Sequence, residues 1–148
     1  MARNIISVIA GYVAMAAFVF ISFTVLYLIL GTEGSFQPAS YQVSSAWLVF
    51  SFILGFIGAL IGGCICALIA KNRKPALWLA GIVFVLGLIL ALPQLNVPEE
   101  EMNKIREGDV SNMEAMQNAK QPALALIFNP FIGAIGVWAG SRMRKQKN

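Results

Sequence analysis

The sequence predicts an all-α, polytopic membrane protein: four transmembrane helices in an up-down bundle, with both the N and C termini cytoplasmic. Three observations predict it. Four long stretches of the chain carry no Asp, Glu, Lys or Arg. Of the 148 residues, 58% are hydrophobic and only 12% charged, far from the balance of a globular domain. The eleven basic and seven acidic residues are sorted between opposite ends of the apolar runs. Residues 1–148 are read as a single transmembrane domain.

The first run, 5–30, has Ser7, Tyr12, Ser22, Thr24 and Tyr27 as its few polar residues. A helix needs about 20 apolar residues to cross the hydrocarbon, so this run is expected to tilt or protrude. It lacks the short core and small-residue cleavage site of a secretory leader, which predicts an uncleaved signal anchor. The second run is 45–70. The third, 75–92, opens on Pro75, suited to a first helical position where its missing N–H is not needed. It is expected to end before Pro93, because the residue preceding a proline is pushed out of helix. The fourth, 122–140, is interrupted by Asn129-Pro130. Hydrocarbon offers the backbone no hydrogen-bond partners, so such runs must be helical. They lack the ten-residue alternation of a membrane barrel.

The connections predict orientation. Arg3, Lys71, Arg73, Lys74, Arg142, Arg144, Lys145 and Lys147 fall on one side, with no acidic residue among them. The other side holds Glu33, Glu99, Glu100, Glu101, Glu107, Asp109 and Glu114, against Lys104, Arg106 and Lys120. The positive-inside rule assigns the basic side to the cytoplasm. Anionic lipid headgroups, rather than nucleic acid, are the expected partner of the basic residues.

The loop 93–121 is long enough for local structure. Pro98 followed by three glutamates predicts a short helix, with carboxylates at the positive end of its dipole. Glu100 and Lys104 form a favourable i, i+4 pair, Gly108 is the stop, and Met102 and Ile105 share a face suited to the membrane surface. Ser111-Asn112-Met113-Glu114 matches a capping box. The fourth helix is therefore expected to begin near Asn112, outside the bilayer, and to bend at Pro122.

Two features of the spans are candidate sites. Small residues stripe the second run in two rows, Gly55, Ala59, Gly63, Ala67 and Gly58, Gly62, Cys66, Ala70. Gly58 with Gly62, and Gly136 with Gly140, are GxxxG pairs. In lipid such residues let helix backbones approach, so they are expected to pack the bundle or to dock another chain. Asn129 is the most polar side chain deep in any span. Pro130 removes a backbone bond and clashes with the Leu126 carbonyl. The pair predicts a kink held by an interhelical Asn bond, with a hinge or small polar site as the functional reading. Tyr27, Phe36, Tyr41 and Trp47 are expected to anchor one interface, and Trp78 and Trp138 the other.

The two halves share a hairpin topology, and Ala10-Gly11-Tyr12-Val13 echoes Ala80-Gly81-Ile82-Val83, as Gly55-Phe56-Ile57-Gly58 echoes Gly133-Ala134-Ile135-Gly136. Spans rich in Gly, Ala and Ile produce such matches by chance. In layout the whole chain resembles small four-span bacterial inner-membrane proteins, and that likeness carries no functional residue with it.

The sequence also excludes chemistry. It has no histidine, and its two cysteines, Cys64 and Cys66, point to different helix faces, so neither a disulfide nor a zinc site is expected. No ionisable Asp, Glu, Lys or Arg lies within a span, where proton relays and ion sites place them. No phosphate loop, metal motif or nucleophile elbow appears, and the acidic loop lacks EF-hand spacing. No cofactor and no enzymatic activity are expected. The leading expectation is an accessory or structural subunit that packs against other membrane helices. The alternative is a small transporter or channel protomer working as an oligomer, and a lipid-modifying enzyme ranks last.

Overall fold

The computed structural model describes residues 2–98, 101 and 104–143. It is all-helical, with α1 (Ala2–Ser35), α2 (Ser45–Ala70), α3 (Lys74–Leu95), α4 (Asn112–Asn118) and α5 (Ala123–Arg142). Four of these, α1, α2, α3 and α5, are long and apolar enough to cross a membrane. We name the two ends of the bundle after what they carry. The basic end bears Arg3, Lys71, Arg73, Lys74 and Arg142, and the loop end bears the two long connections.

Local chemistry sets the helix boundaries. Ser44 caps α2, its hydroxyl accepting from the Trp47 amide at 3.1 Å and donating to the Gly34 carbonyl at 2.6 Å. Lys71 ends α2 in the left-handed region at φ 58°. Asn72 then serves both neighbours, donating to the Ala70 carbonyl and accepting from the Lys74 amide at 3.0 Å. Pro75 stands in the first turn of α3, as expected of a residue without an N–H.

Several boundaries differ from those the sequence predicts. The first helix continues to Ser35, with a break at Gly31, whose φ of 65° and ψ of −176° suit a residue without Cβ. Pro93 does not end α3, which runs on to Leu95. So near the helix end Pro93 removes a single i to i−4 bond, the one to the Ile89 carbonyl, and leaves the rest of the ladder intact. Near Asn112 the chain does not begin one bent helix. Instead α4 closes at Asn118, the chain extends through Ala119 and Pro122, and α5 starts afresh at Ala123. Lys104 to Gly108 are not helical, and Gly108 is a left-handed turn residue at φ 71° rather than a helix stop. The predicted Glu100–Lys104 pair and the Met102 face lie outside the described residues.

The neighbours in the bundle are not simply consecutive. α1 packs antiparallel on α2, α3 antiparallel on α5, and the two hairpins join along α2 and α5, which run parallel. α3 meets α1 and α2 less extensively, and α1 does not touch α5. The intramembrane core is compact: Ala59, Cys66, Ala76, Leu79 and Val137. Most other large apolar side chains of the spans are exposed, as lipid-facing surface should be.

Candidate functional site

The small residues of α2 are used on two faces at once. Gly58 and Gly62 face α1. A side-chain carbon added at Gly62 would lie 2.8 Å from the Gly11 carbonyl oxygen, and one at Gly11 would lie 2.7 Å from that of Gly62. One at Gly58 would meet Val19 at 2.9 Å. Ala59 and Gly63 face α5. A carbon at Gly136 would meet the Ala59 side chain at 2.6 Å. One at Gly63 would overlap the Val137 carbonyl, and one at Gly140 the Leu60 carbonyl. The two stripes thus serve two different neighbours within the chain. Gly55, at the head of its stripe, has nothing within 4 Å of its Cβ position.

Pro130 and Asn129 part company. Pro130 is buried against α3, where Gly87 makes room: a carbon there would lie 2.9 Å from the proline ring. The helix stays continuous through it. Asn129 is exposed, and its amide donates to Gln121 Oε1 at 3.1 Å. The expected bond across helices is therefore replaced by one to the segment just before α5. That segment is extended, which leaves Gln121 free to fold back along the helix.

The aromatic residues read as an interface belt at the loop end form a core instead. Tyr27, Phe36, Tyr41, Val43 and Ala115 are buried together, flanked by Trp47, Leu48, Val110 and Ala119. Edge-to-face contacts link Phe23 and Tyr27 to Trp47, and Phe36 to Tyr41. At the basic end Trp78 is exposed on α3, and Trp138 lies under the Arg142 guanidinium at 3.8 Å.

Around that core the two long connections are stitched into one cap. Val43 N–H donates to the Lys120 carbonyl at 3.0 Å, and Lys120 N–H to the Tyr41 carbonyl at 2.9 Å. Tyr27 Oη donates to the Val110 carbonyl at 2.5 Å. Ser111 caps α4 through the Glu114 amide, the first half of the predicted capping box. The Glu114 carboxylate does not complete the box, because it accepts from Tyr41 Oη at 2.8 Å. That bond, with the repulsion a phenolate would feel beside Glu114, raises the Tyr41 pKa above its ordinary value.

Arg106 is the clasp of this cap. Its side chain is 2% exposed, yet every face of the guanidinium is occupied. It donates to the Ser40 carbonyl at 3.3 Å, to the Gly108 carbonyl, and to Glu33 Oε1 at 2.8 Å, and it lies over the Phe36 ring. Its own amide donates to the Ala39 carbonyl at 3.1 Å. The planar fork suits this spread of acceptors. From sequence Arg106 was only one basic residue in an acidic loop. Glu33 is 73 positions away, and no local pattern signals such a pair.

Beside the cap, Tyr41, Glu101, Lys104, Asn118 and Lys120 line a surface hollow of about 410 Å³. Its lysines are already engaged, Lys104 over the Tyr41 ring and Lys120 at 3.9 Å from Glu101. Among the described residues no three His, Cys, Asp or Glu side chains gather as a metal site. Compared with known proteins, the chain matches no family model, no curated protein and no solved structure.

Proposed function

We propose that this chain is a non-enzymatic accessory or structural subunit that works by packing against other membrane helices. One observation carries the reading. Twelve glycines lie in the four long helices, and eight of them, Gly11, Gly58, Gly62, Gly63, Gly87, Gly133, Gly136 and Gly140, have another helix within contact of their Cβ position. Gly55 and Gly81 have nothing there and present bare backbone to the bilayer. Bare backbone is what lets a second helix approach closely in lipid. We place the protein in a bacterial cytoplasmic (inner) membrane with its basic end inside, in contact with anionic lipids, on the strength of its charge asymmetry. The second reading, a small transporter or channel protomer acting as an oligomer, draws on the exposed Asn129. Purification in a native-like detergent with mass measurement separates them. A stoichiometric membrane-protein partner supports the subunit, a defined homo-oligomer favours the transporter, and a lone monomer overturns both.

A further inference from the structure

The face of α3 turned away from α5 carries a cation, an aromatic ring and a gap in one row. By helical spacing Lys74, Trp78, Gly81 and Val85 lie one above the other. The side toward α5 is a different one, where Val83 meets Gly133 and Gly87 meets Pro130. Trp78 is 75% exposed, and nothing lies within 4 Å of the Gly81 Cβ position. Where that side chain is missing, Trp78, Gly81, Ile82, Val85 and Leu86 line a groove of about 440 Å³. Its side chains are apolar apart from the Trp78 indole N–H. Lys74 stands one turn beyond Trp78 toward the basic end. It is exposed and, among the described residues, has no ion-pair partner. The positive end of the α3 dipole adds to its charge.

Shape and charge select the occupant. Helices approach closely in lipid where small residues repeat every four positions. Four positions on either side of Gly81 stand Leu77 and Val85, 53% and 52% exposed. They hold a second helix off the bare backbone, whereas a flexible acyl chain fills a gap one side chain wide. A second copy of this chain is opposed by charge as well. Copies inserted in one membrane share an orientation, so Lys74 would face an end with eight basic and no acidic residues. Water finds almost nothing to bond in an apolar groove. An anionic phospholipid matches the row in order, a negative headgroup at the cation and an apolar chain beside the ring and the gap.

We infer that this face of α3 binds an anionic phospholipid of the surrounding bilayer, its phosphate on the Lys74 ammonium and an acyl chain in the groove over Gly81, beside Trp78. This rests on the anionic-lipid contact proposed above and names its site. Gly55 on α2 remains the bare backbone open to a neighbouring helix. The test is native mass spectrometry of the full chain released from nanodiscs that hold equal amounts of phosphatidylglycerol and phosphatidylcholine with identical chains. The protein should retain phosphatidylglycerol in preference to phosphatidylcholine. Lys74→Gln should lower that preference about fivefold, the effect of a single basic residue at an anionic surface. Arg142→Gln removes the same charge from α5 and should leave the preference nearly unchanged. Gly81→Leu fills the groove without meeting any neighbour, and should release phosphatidylglycerol although every charge is kept. Equal losses from Lys74→Gln and Arg142→Gln, or full retention in Gly81→Leu, overturn the inference. A preference for phosphatidylglycerol that both Lys74→Gln and Gly81→Leu leave intact defeats this site and keeps the general anionic-lipid contact. Equal retention of the two lipids by the unaltered chain defeats both. A stoichiometric protein partner lost on Gly81→Leu overturns the inference in favour of a docked helix. A lone monomer that prefers phosphatidylglycerol and responds to both variants defeats the subunit reading and supports this one.

Discussion

Replacing Arg106 with methionine isolates the clasp, because methionine keeps an unbranched apolar stem and removes the fork. The gross loss is large. A hydrogen bond to a charged group contributes about 1.5–3 kcal/mol, and removing one partner of a buried pair costs about 3–5 kcal/mol. Two features of the site reduce that figure. The Glu33 side chain is 75% exposed and rehydrates when its partner leaves, so no orphaned charge is created. The Phe36 contact is partly replaced by sulfur over the ring. What remains is the Gly108 carbonyl losing a charged donor, with a small addition from the long Ser40 bond at 3.3 Å, about 2–3 kcal/mol in total. Arg106→Lys keeps the charge but reaches fewer of the three acceptors, and should lose roughly half as much. Hydrogen exchange read by mass spectrometry is the suitable assay, since it separates cap from spans. Protection should fall roughly 30- to 150-fold (about 2–3 kcal/mol) at residues 39–43 and 110–119, and little in α2 and α5. An Arg106→Met protein with cap protection within threefold of wild type would refute the clasp.

Three further outcomes follow from the same geometry. Gly63→Ala and Gly140→Ala each push a methyl into a facing carbonyl, and each should destabilise the bundle by about 1–3 kcal/mol in detergent unfolding; Gly55→Ala, with open space at its Cβ, should leave stability unchanged or slightly raised. Tyr41 is neutral where it donates to Glu114, so its raised pKa adds stability that is complete below the unfolded value of 10.0 and disappears as pH climbs through the folded value; alkaline titration of cap exchange should show this component, and Tyr41→Phe should abolish it. Cysteines introduced at Gln37 and Gln117, in a background without Cys64 and Cys66, should react with impermeant reagents from outside intact cells, and one at Gln146 only after permeabilisation; the reverse pattern would invert the topology.

The spans were legible because each is a long uncharged run bounded by a short-range signal. For α2 the uncharged run and the helix have the same limits, and the structure shows the ends capped by Ser44 and by Lys71-Asn72. Pro93 misled because a proline's cost depends on how many helical bonds lie beyond it, and beyond Pro93 there are almost none. The cap was illegible for a different reason. Its bonds join Tyr27 to Val110, Glu33 to Arg106 and Tyr41 to Glu114, partners 73 to 83 residues apart. Nothing in the period of either loop records them. The same aromatic residues that suit a headgroup belt suit a small core, and only the second loop folding back over the first decides between the two. Asn129 stands out in the sequence as a deep amide, but its partner Gln121 sits in a break between α4 and α5 that the predicted unbroken helix precludes.

The cap also fixes how the molecule moves. Val43–Lys120 and Arg106–Glu33 fasten the α1–α2 hairpin to the second long loop at one end. The glycine contacts of Gly63 with Val137 and Gly140 with Leu60 fasten α2 to α5 toward the other end. The two hairpins are thus joined at both ends, through the cap and through the close helix contacts. Any rocking of the first hairpin against the second long loop strains the Arg106 contacts to Glu33 and Ser40. On the subunit reading we propose, the same fastenings hold a neighbouring helix at a fixed angle without any opening of the cap.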